Sequence, residues 1–346
     1  MAGDDVSLSD DISKFDPENL RQDILQLPLQ AEQGYKLVEA LDLNAVKGAY
    51  SSVIISGMGG SAIAGLVLQS YLADDNIKLF VNQDYSLPKW ADKSTLVIAS
   101  SYSGNTEETI SVFKDARRKE CGLIVVSVGG KLEEYAKIPR LPMVILPSGY
   151  PPRAAMAIMF FAMLRLLERL RLVESKARDV LRIREDLKGQ LPMLEKNAIA
   201  LSEKFVNRIP LIYTSTRFKP IGYRWKCQFN ENSKRLAFNN AFSEMNHNEG
   251  EAFENMLGSF HAIFLRFEED HRRIQQRMNL TKEIILKKGV PVTDIGVRGP
   301  SLLSKIFSAI ILGDLVSYYL AIRLKTNPNR YNFIEDFKKS LGPYVG

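Results

Sequence analysis

Two short stretches carry the residue types that hold an anion. Ser101-Tyr102-Ser103-Gly104-Asn105-Thr106-Glu107-Glu108 spreads three hydroxyls, those of Ser101, Ser103 and Thr106, ahead of a helical pattern; Gly57-Met58-Gly59-Gly60-Ser61 follows the β-branched run Val53-Ile54-Ile55. A strand that ends in glycine and hydroxyl residues and then opens a helix leaves backbone N–H groups pointing outward, where the helix dipole favours negative charge. Taken singly, Thr106 serves as well for a helix cap, and the glycine run for an ordinary tight turn. Neither stretch is a Walker loop, since the Gly-Lys-Thr/Ser ending is missing, and the Gly57 run is too short for a dinucleotide fingerprint. Nucleotide binding is disfavoured.

Proton chemistry needs a group that gives or takes a proton near neutrality. Ile221, Trp225, Gln228, Phe229 and Asn232 mark one face of a helix, and Glu231 falls beside that face in its last turn, before Asn232-Ser233 ends it. The negative end of the dipole and burial beside Trp225 would both raise the pKa of such a carboxylate, whereas a plain solvated glutamate is the competing description. The chain has three histidines, His247, His261 and His271. Their separations suit neither a helical metal pair nor a zinc clip, so no metal is expected. His247 lies in the polar cluster Asn246-His247-Asn248-Glu249; His261, between Phe260 and Ala262, reads as structural, and His271 as a surface residue. Arg153 opens a helical stretch, where a cation is unfavourable for the dipole, which argues for a binding duty. Cys121 and Cys227 lack the basic and histidine partners of a reactive thiolate and receive no catalytic task.

The elements that must position these groups alternate. Ser52 onward reads strand, turn, helix, then again through Leu96-Val97-Ile98-Ala99 to Glu107–Lys119, with further strands at Leu123–Val128 and Met143–Leu146. Short β-branched runs alternating with helical stretches of about a dozen residues indicate βαβ units and a parallel sheet. A long helix from about Arg153 to Val173 and a polar one from Ala177 to Leu201 lead into a second alternation. It runs through Pro210–Ser215, a helix around Gly222–Phe229, strands near Lys234–Phe238, Ala262–Phe267 and Asp294–Val297, and a helix from Leu302 to Leu324. The expected organisation is an amino-terminal helical arm (1–45), a first α/β domain (46–190) and a second (191–346), related by duplication, with a site where the two face each other.

The balance of 46 basic and 40 acidic residues, +6, favours anionic partners, and a small phosphorylated metabolite fits it. The basic residues are spread along helical segments without a zinc-finger or RNA-binding signature, so nucleic acid is not an expected partner. The longest apolar run, Ala154–Leu164, is too short for a bilayer, which needs about 20 such residues, and no membrane association is expected. Met1-Ala2-Gly3-Asp4-Asp5 has no secretory character and one pair of cysteines offers no disulfide framework, so the expected location is cytoplasmic.

The glycine and serine turns resemble the paired signatures of sugar isomerase (SIS) domains, which bind phosphosugars. Pro152-Arg153-Ala154-Ala155, Trp225-Lys226-Cys227-Gln228-Phe229-Asn230-Glu231-Asn232-Ser233-Lys234 and Glu244-Met245-Asn246-His247-Asn248-Glu249 further resemble the bifunctional phosphoglucose/phosphomannose isomerases, in the same order, from Ser52 to the carboxyl end. The resemblance implies two SIS subdomains, each a parallel sheet flanked by helices, and a cofactor-free aldose–ketose isomerase acting on glucose 6-phosphate, mannose 6-phosphate and fructose 6-phosphate through a cis-enediol. It implies that Ser101, Ser103 and Thr106 hold phosphate, that Gly60 and Ser61 line the sugar site, and that Glu231 moves the proton. Arg153 would steady the enediolate, and His247 and Lys338 would open the ring; Lys339 stands next to Lys338. A threonine that relatives carry near this last helix, associated with accepting both epimers, has Thr326 or Tyr331 as its counterpart. A homodimer with sites at the subunit boundary is implied as well. The rivals are a non-catalytic phosphosugar-binding SIS regulator, which has no use for Glu231 and His247 together, and amination-coupled isomerisation, which needs a cysteine where Ala2 stands.

Overall fold

The computed structural model describes residues 2–138 and 140–342. Helices α1 (Ala2–Phe15), α2 (Leu20–Leu25) and α3 (Leu27–Lys36) precede strand β1 (Ser52–Ser56). Then follow α4 (Gly59–Tyr71), β2 (Leu79–Asn82), β3 (Thr95–Ser100), α5 (Glu107–Arg118), β4 (Gly122–Ser127), α6 (Gly130–Lys137), β5 (Met143–Ile145) and α7 (Met156–Arg169). After the long α8 (Ala177–Glu203) come β6 (Ile209–Ser215), α9 (Lys219–Asn232), β7 (Phe238–Phe242), single turns at Glu244–His247 and Glu249–Glu254, and β8 (Phe260–Arg266). The chain ends with α10 (Arg272–Lys287), β9 (Val292–Gly296), α11 (Leu302–Arg323) and α12 (Asn332–Leu341).

The described residues form two compact units, one within 26–184 with 339–342, the other of residues 2–25 with 185–338. Residues 1–45, expected as one arm, are therefore shared between them. The physical reason is Asp16: its carboxylate caps α2 through Leu20 N (2.8 Å) and Arg21 N (3.1 Å) and accepts the Tyr318 hydroxyl of α11 at 3.0 Å, while Arg21 pairs with Glu195 of α8 at 2.8 Å. By contrast α3 lies on α7, where Gly34 lets the backbones meet; a Cβ there would fall 2.3 Å from Ile158 O.

Each unit holds one all-parallel sheet, ordered β2-β1-β3-β4-β5 in the first and β7-β6-β8-β9 in the second. The strand order is the same over the first four strands, the topology that duplication of one unit leaves. β1 and β3 are buried on both faces, which is why they read as continuous apolar runs rather than alternating ones. In the first sheet Ile54, Val97 and Val125 pack with Ile110, Phe113 and Leu132 of α5 and α6, and Ile55 faces Gly65 of α4.

In the second sheet the two faces divide the candidate residues. Ile212 and Thr214 of β6 face Gly222 of α9, whereas Leu211 and Tyr213 pack with Met245, Phe253 and Met278 on the other face. α9 rests on α11, and α11 is apolar enough and, at 22 residues, long enough for a membrane span, yet its apolar stretch is entirely buried inside the protein. A helix apolar on all sides is a core helix here.

The strand expected near Lys234–Phe238 begins later, at Phe238, because Arg235 N turns back to Phe229 O (3.2 Å) and closes the end of α9. The helix expected from Arg153 begins at Met156; Pro151–Ala155 form a turn whose Ala154 N and Ala155 N bond Pro151 O.

His261 on β8 is buried, its Nε2 2.8 Å from Thr293 Oγ1 and its ring edge-on to Phe205. Burial, with the Lys204 and Arg208 cations beyond it, lowers the imidazole from 6.5 to about 4. The folded state thus binds this proton more weakly than the unfolded one, so its contribution is full above pH 6.5 and is lost as pH falls toward 4. Between pH 7 and pH 4.5 the second unit is expected to lose on the order of 1–3 kcal/mol more stability in the parent than in His261→Gln. Urea unfolding at both pH values checks this; equal losses would remove His261 as the cause.

Candidate active site

The first sheet reverses its direction of growth between β1 and β3, and parallel sheets of this order bind ligands at the carboxyl ends of the two strands flanking that point. The glycine turn follows β1 and the serine turn follows β3. Their proximity is a matter of missing side chains: a Cβ on Gly57 would lie 2.7 Å from Ser100 O, and one on Gly60 would lie 2.7 Å from Pro152 O and 3.0 Å from Arg153 Cα. The structure therefore brings Gly60, Ser61, Ser101, Ser103, Thr106 and Arg153 into one neighbourhood.

Within it the hydroxyls are ordered. Ser61 Oγ accepts Tyr102 N at 3.2 Å and so ties the glycine turn to the serine turn. Ser101 and Thr106 face each other, Oγ to Oγ1, at 2.8 Å, and Ser101 Oγ accepts Gly104 N at 3.1 Å. Thr106 caps no amide of α5, and Met58 gives α4 no side-chain cap. Two helix amino termini without side-chain caps thus open at the switch point, the arrangement that receives an anion. Ser103 is exposed, its Oγ accepting Asn105 N at 3.3 Å. Arg153 is buried, 3% exposed, in the turn before α7 rather than at an exposed helix start.

A third turn, Ser127-Val128-Gly129-Gly130, escaped the sequence reading although its glycine pair follows a strand. It braces the serine turn: Val128 N bonds Tyr102 O, Leu132 N bonds Gly104 O and Lys131 N bonds Asn105 Oδ1, each at 3.0 Å. Tyr102 completes the brace with its hydroxyl on Pro147 O at 2.9 Å.

The other candidates belong to the second unit. Glu231 is the penultimate residue of α9 and half-buried, with Ile221, Trp225, Gln228, Phe229 and Asn232 buried as the spacing requires. The negative end of the helix expected beside it is offset, since the Lys234 ammonium donates to the carbonyls of Glu231 and Asn232. His247 is exposed in the turn after β7, next to Glu249, whose carboxylate is held by Tyr213 (2.6 Å) and Asn240 (2.6 Å). That turn and α9 occupy opposite faces of the sheet, so the structure does not bring Glu231 and His247 of one chain together. Lys338 is exposed on α12, as is Lys339. Both thiols sit above their ordinary value, Cys121 chiefly through burial and Cys227 through burial with the Glu231 carboxylate adding to it, so neither is a thiolate at neutral pH. His271 caps α10, its Nδ1 accepting Arg273 N at 3.1 Å.

The chain is 39% identical over 334 residues to the bifunctional phosphoglucose/phosphomannose isomerase of Caldicellulosiruptor bescii, covering 92% of this chain and 98% of that one. It belongs to the bifunctional phosphoglucose/phosphomannose isomerase family. The family member from Thermoplasma acidophilum is 35% identical, with 85% and 91% covered. Residues 194–341 match the bacterial phospho-glucose isomerase C-terminal SIS domain. Among solved structures, tagatose-6-phosphate ketose/aldose isomerase from Escherichia coli superposes with a TM-score of 0.67 at 14% identity, covering 94% of this chain and 96% of that one, and so shares the fold.

The brace on the serine turn makes a measurable demand. Gly104 has φ 71° and a Cβ there would fall 1.8 Å from Gly129 O, whereas Gly149, at φ 102°, has nothing within 4 Å of its Cβ position. Gly104→Ala is expected to cost more than about 2 kcal/mol and Gly149→Ala about 1 kcal/mol. Denaturant titration of the two variants checks the difference; equal costs would mean that the turns are not packed against each other.

Proposed function

We propose that this protein is an aldose–ketose isomerase that interconverts glucose 6-phosphate and mannose 6-phosphate with fructose 6-phosphate through a shared cis-enediol. The observation that carries the reading is the pair of helix amino termini at the β1/β3 switch point, edged by Ser101, Ser103 and Thr106 and backed by the buried Arg153. A phosphate monoester fits the amides and hydroxyls, and Gly60 and Ser61 line the sugar beyond it. The Arg153 guanidinium, taken out of water, stabilises the oxyanion as charge develops on the enediolate. Glu231 carries the proton between C1 and C2, and His247 and Lys338 serve ring opening. The chemistry asks for no cofactor, since the two aldoses differ only at C2 and one intermediate serves both. A phosphosugar-binding regulator would leave Glu231 and His247 without a task.

A homodimer follows from the same reading. α9 and the 244–247 turn lie on opposite faces of the second sheet, so a site that uses both residues takes His247 from a second copy. The protein is expected to work in the cytoplasm on a soluble phosphorylated hexose.

Purified protein given fructose 6-phosphate is expected to form both aldose phosphates, and Glu231→Gln is expected to bind substrate normally while turnover falls by about two orders of magnitude or more. Full turnover in Glu231→Gln would remove that carboxylate from the mechanism. Mixing Glu231→Gln with His247→Ala subunits is expected to restore activity, because one site of each mixed dimer regains both wild-type side chains. Mixed protein no more active than its parents would place both residues of a site in one chain.

A further inference from the structure

One ammonium ties the end of α9 to the segment that enters α12. Lys234 follows the helix with a left-handed backbone (φ 54°) and donates to Glu231 O, to Asn232 O at 3.4 Å and to Pro328 O at 3.1 Å. Its charge also lies 5.7 Å from the centre of the Tyr331 ring. The last carbonyls of a helix have no partner within it, and a cation there is favourable. Pro328 and Tyr331 belong to the segment that enters α12, the helix of Lys338. One side chain with three donor hydrogens thus joins the last turn of α9 to the root of α12.

The rest of α9 is held from its inner face. Arg224 grips Asp314 with two bonds (3.0 and 2.6 Å), Trp225 Nε1 donates to Ala309 O at 2.8 Å over Gly313, and Asn232 Nδ2 donates to Ser317 Oγ at 2.9 Å. Glu231 is turned about 100° from Asn232, off that seam, so the carbonyl side of its turn is fixed by Lys234.

We infer that Lys234 is a positioning residue for the isomerisation: it locks the turn bearing Glu231 to the segment from which Lys338 emerges. The inference rests on Glu231 as the proton carrier. A left-handed position just past a helix is the usual place for glycine, so Lys234→Gly suits the backbone while removing the whole side chain, and Lys234→Met keeps an apolar stem without the ammonium.

Lys234→Gly and Lys234→Met are expected to lower kcat on the order of 10- to 100-fold, with KM for fructose 6-phosphate within about twofold, the size of effect that small misplacement of a reacting group produces. Lys234→Arg, which keeps the charge and several donors, is expected to recover most of kcat. Backbone amides of 230–233 and 329–333 are expected to exchange faster with solvent in Lys234→Gly at an unchanged melting temperature. Wild-type kcat in Lys234→Gly, or kcat falling only in step with melting temperature across the three variants, overturns the inference. Glu231→Gln measured alongside separates the two levels. If it is inactive while Lys234→Gly is fully active, only the clamp fails; if it is fully active, the assignment of Glu231 fails and the clamp with it.

Discussion

The approach of backbone to backbone at the carboxyl ends of β1 and β3 is the constraint on which the rest of the candidate site depends. Gly57 against Ser100, Gly60 against Pro152 and Arg153, and Gly104 against Gly129 are contacts that any Cβ would break. They press together the four loops after β1, β3, β4 and β5; Ser61 holds Tyr102 across two of them, and Ser101 holds Thr106 within one. A wall built in this way is made of main-chain N–H groups and short hydroxyls with few rotamers to order, which under the proposed function would keep the entropic cost of gripping a phosphate low. The buried Arg153 then sits against a rigid wall.

The second unit answers a different need, holding a carboxylate at the end of a helix. α9 is fastened to α11 by polar contacts in a seam that apolar residues could fill. Arg224 and Asp314 are 1% and 3% exposed, and a buried pair of this kind roughly offsets its own desolvation rather than adding much stability. Its geometry does more. The fork at Asp314, the indole over Gly313 and the amide at Ser317 each accept one register of α9 on α11 and no neighbouring one, so rotation of the helix about its axis is fixed. In the proposed role of proton carrier, Glu231 would need that more than stability, since tenths of an ångström at the reacting atoms change rates.

Much of this was legible in the residues. The parallel sheets were, because buried β-branched runs such as Val53-Ile54-Ile55 and Leu96-Val97-Ile98 have few other destinations. The inner face of α9 was, because Ile221, Trp225, Gln228 and Asn232 repeat at helical spacing. The start of β7 was misplaced by four residues, because Lys234 and Arg235 close α9 with tertiary contacts that propensity does not register. The amino-terminal segment was read as one arm, and nothing local signals that Asp16 meets Tyr318, 302 residues away. The brace from Gly129-Gly130 was missed for a related reason: a glycine pair marks a turn, but what the turn leans on is a property of the fold. Arg153 was read as a helix start with a binding duty; its place in a buried turn against Gly60, far from it in sequence, was not legible. The roles of these residues come from the resemblance to the phosphoglucose/phosphomannose isomerases.

The central claim is that hydrogen moves between adjacent carbons of a phosphohexose as a proton, through an enediol held in this pocket. Turnover of fructose 6-phosphate in deuterated water, read by NMR of the sugar phosphates, tests it most directly. The account predicts deuterium at C2 of both glucose 6-phosphate and mannose 6-phosphate. Aldose phosphates accumulating over many turnovers with no solvent label at C2, or no aldose phosphate at all, would contradict it.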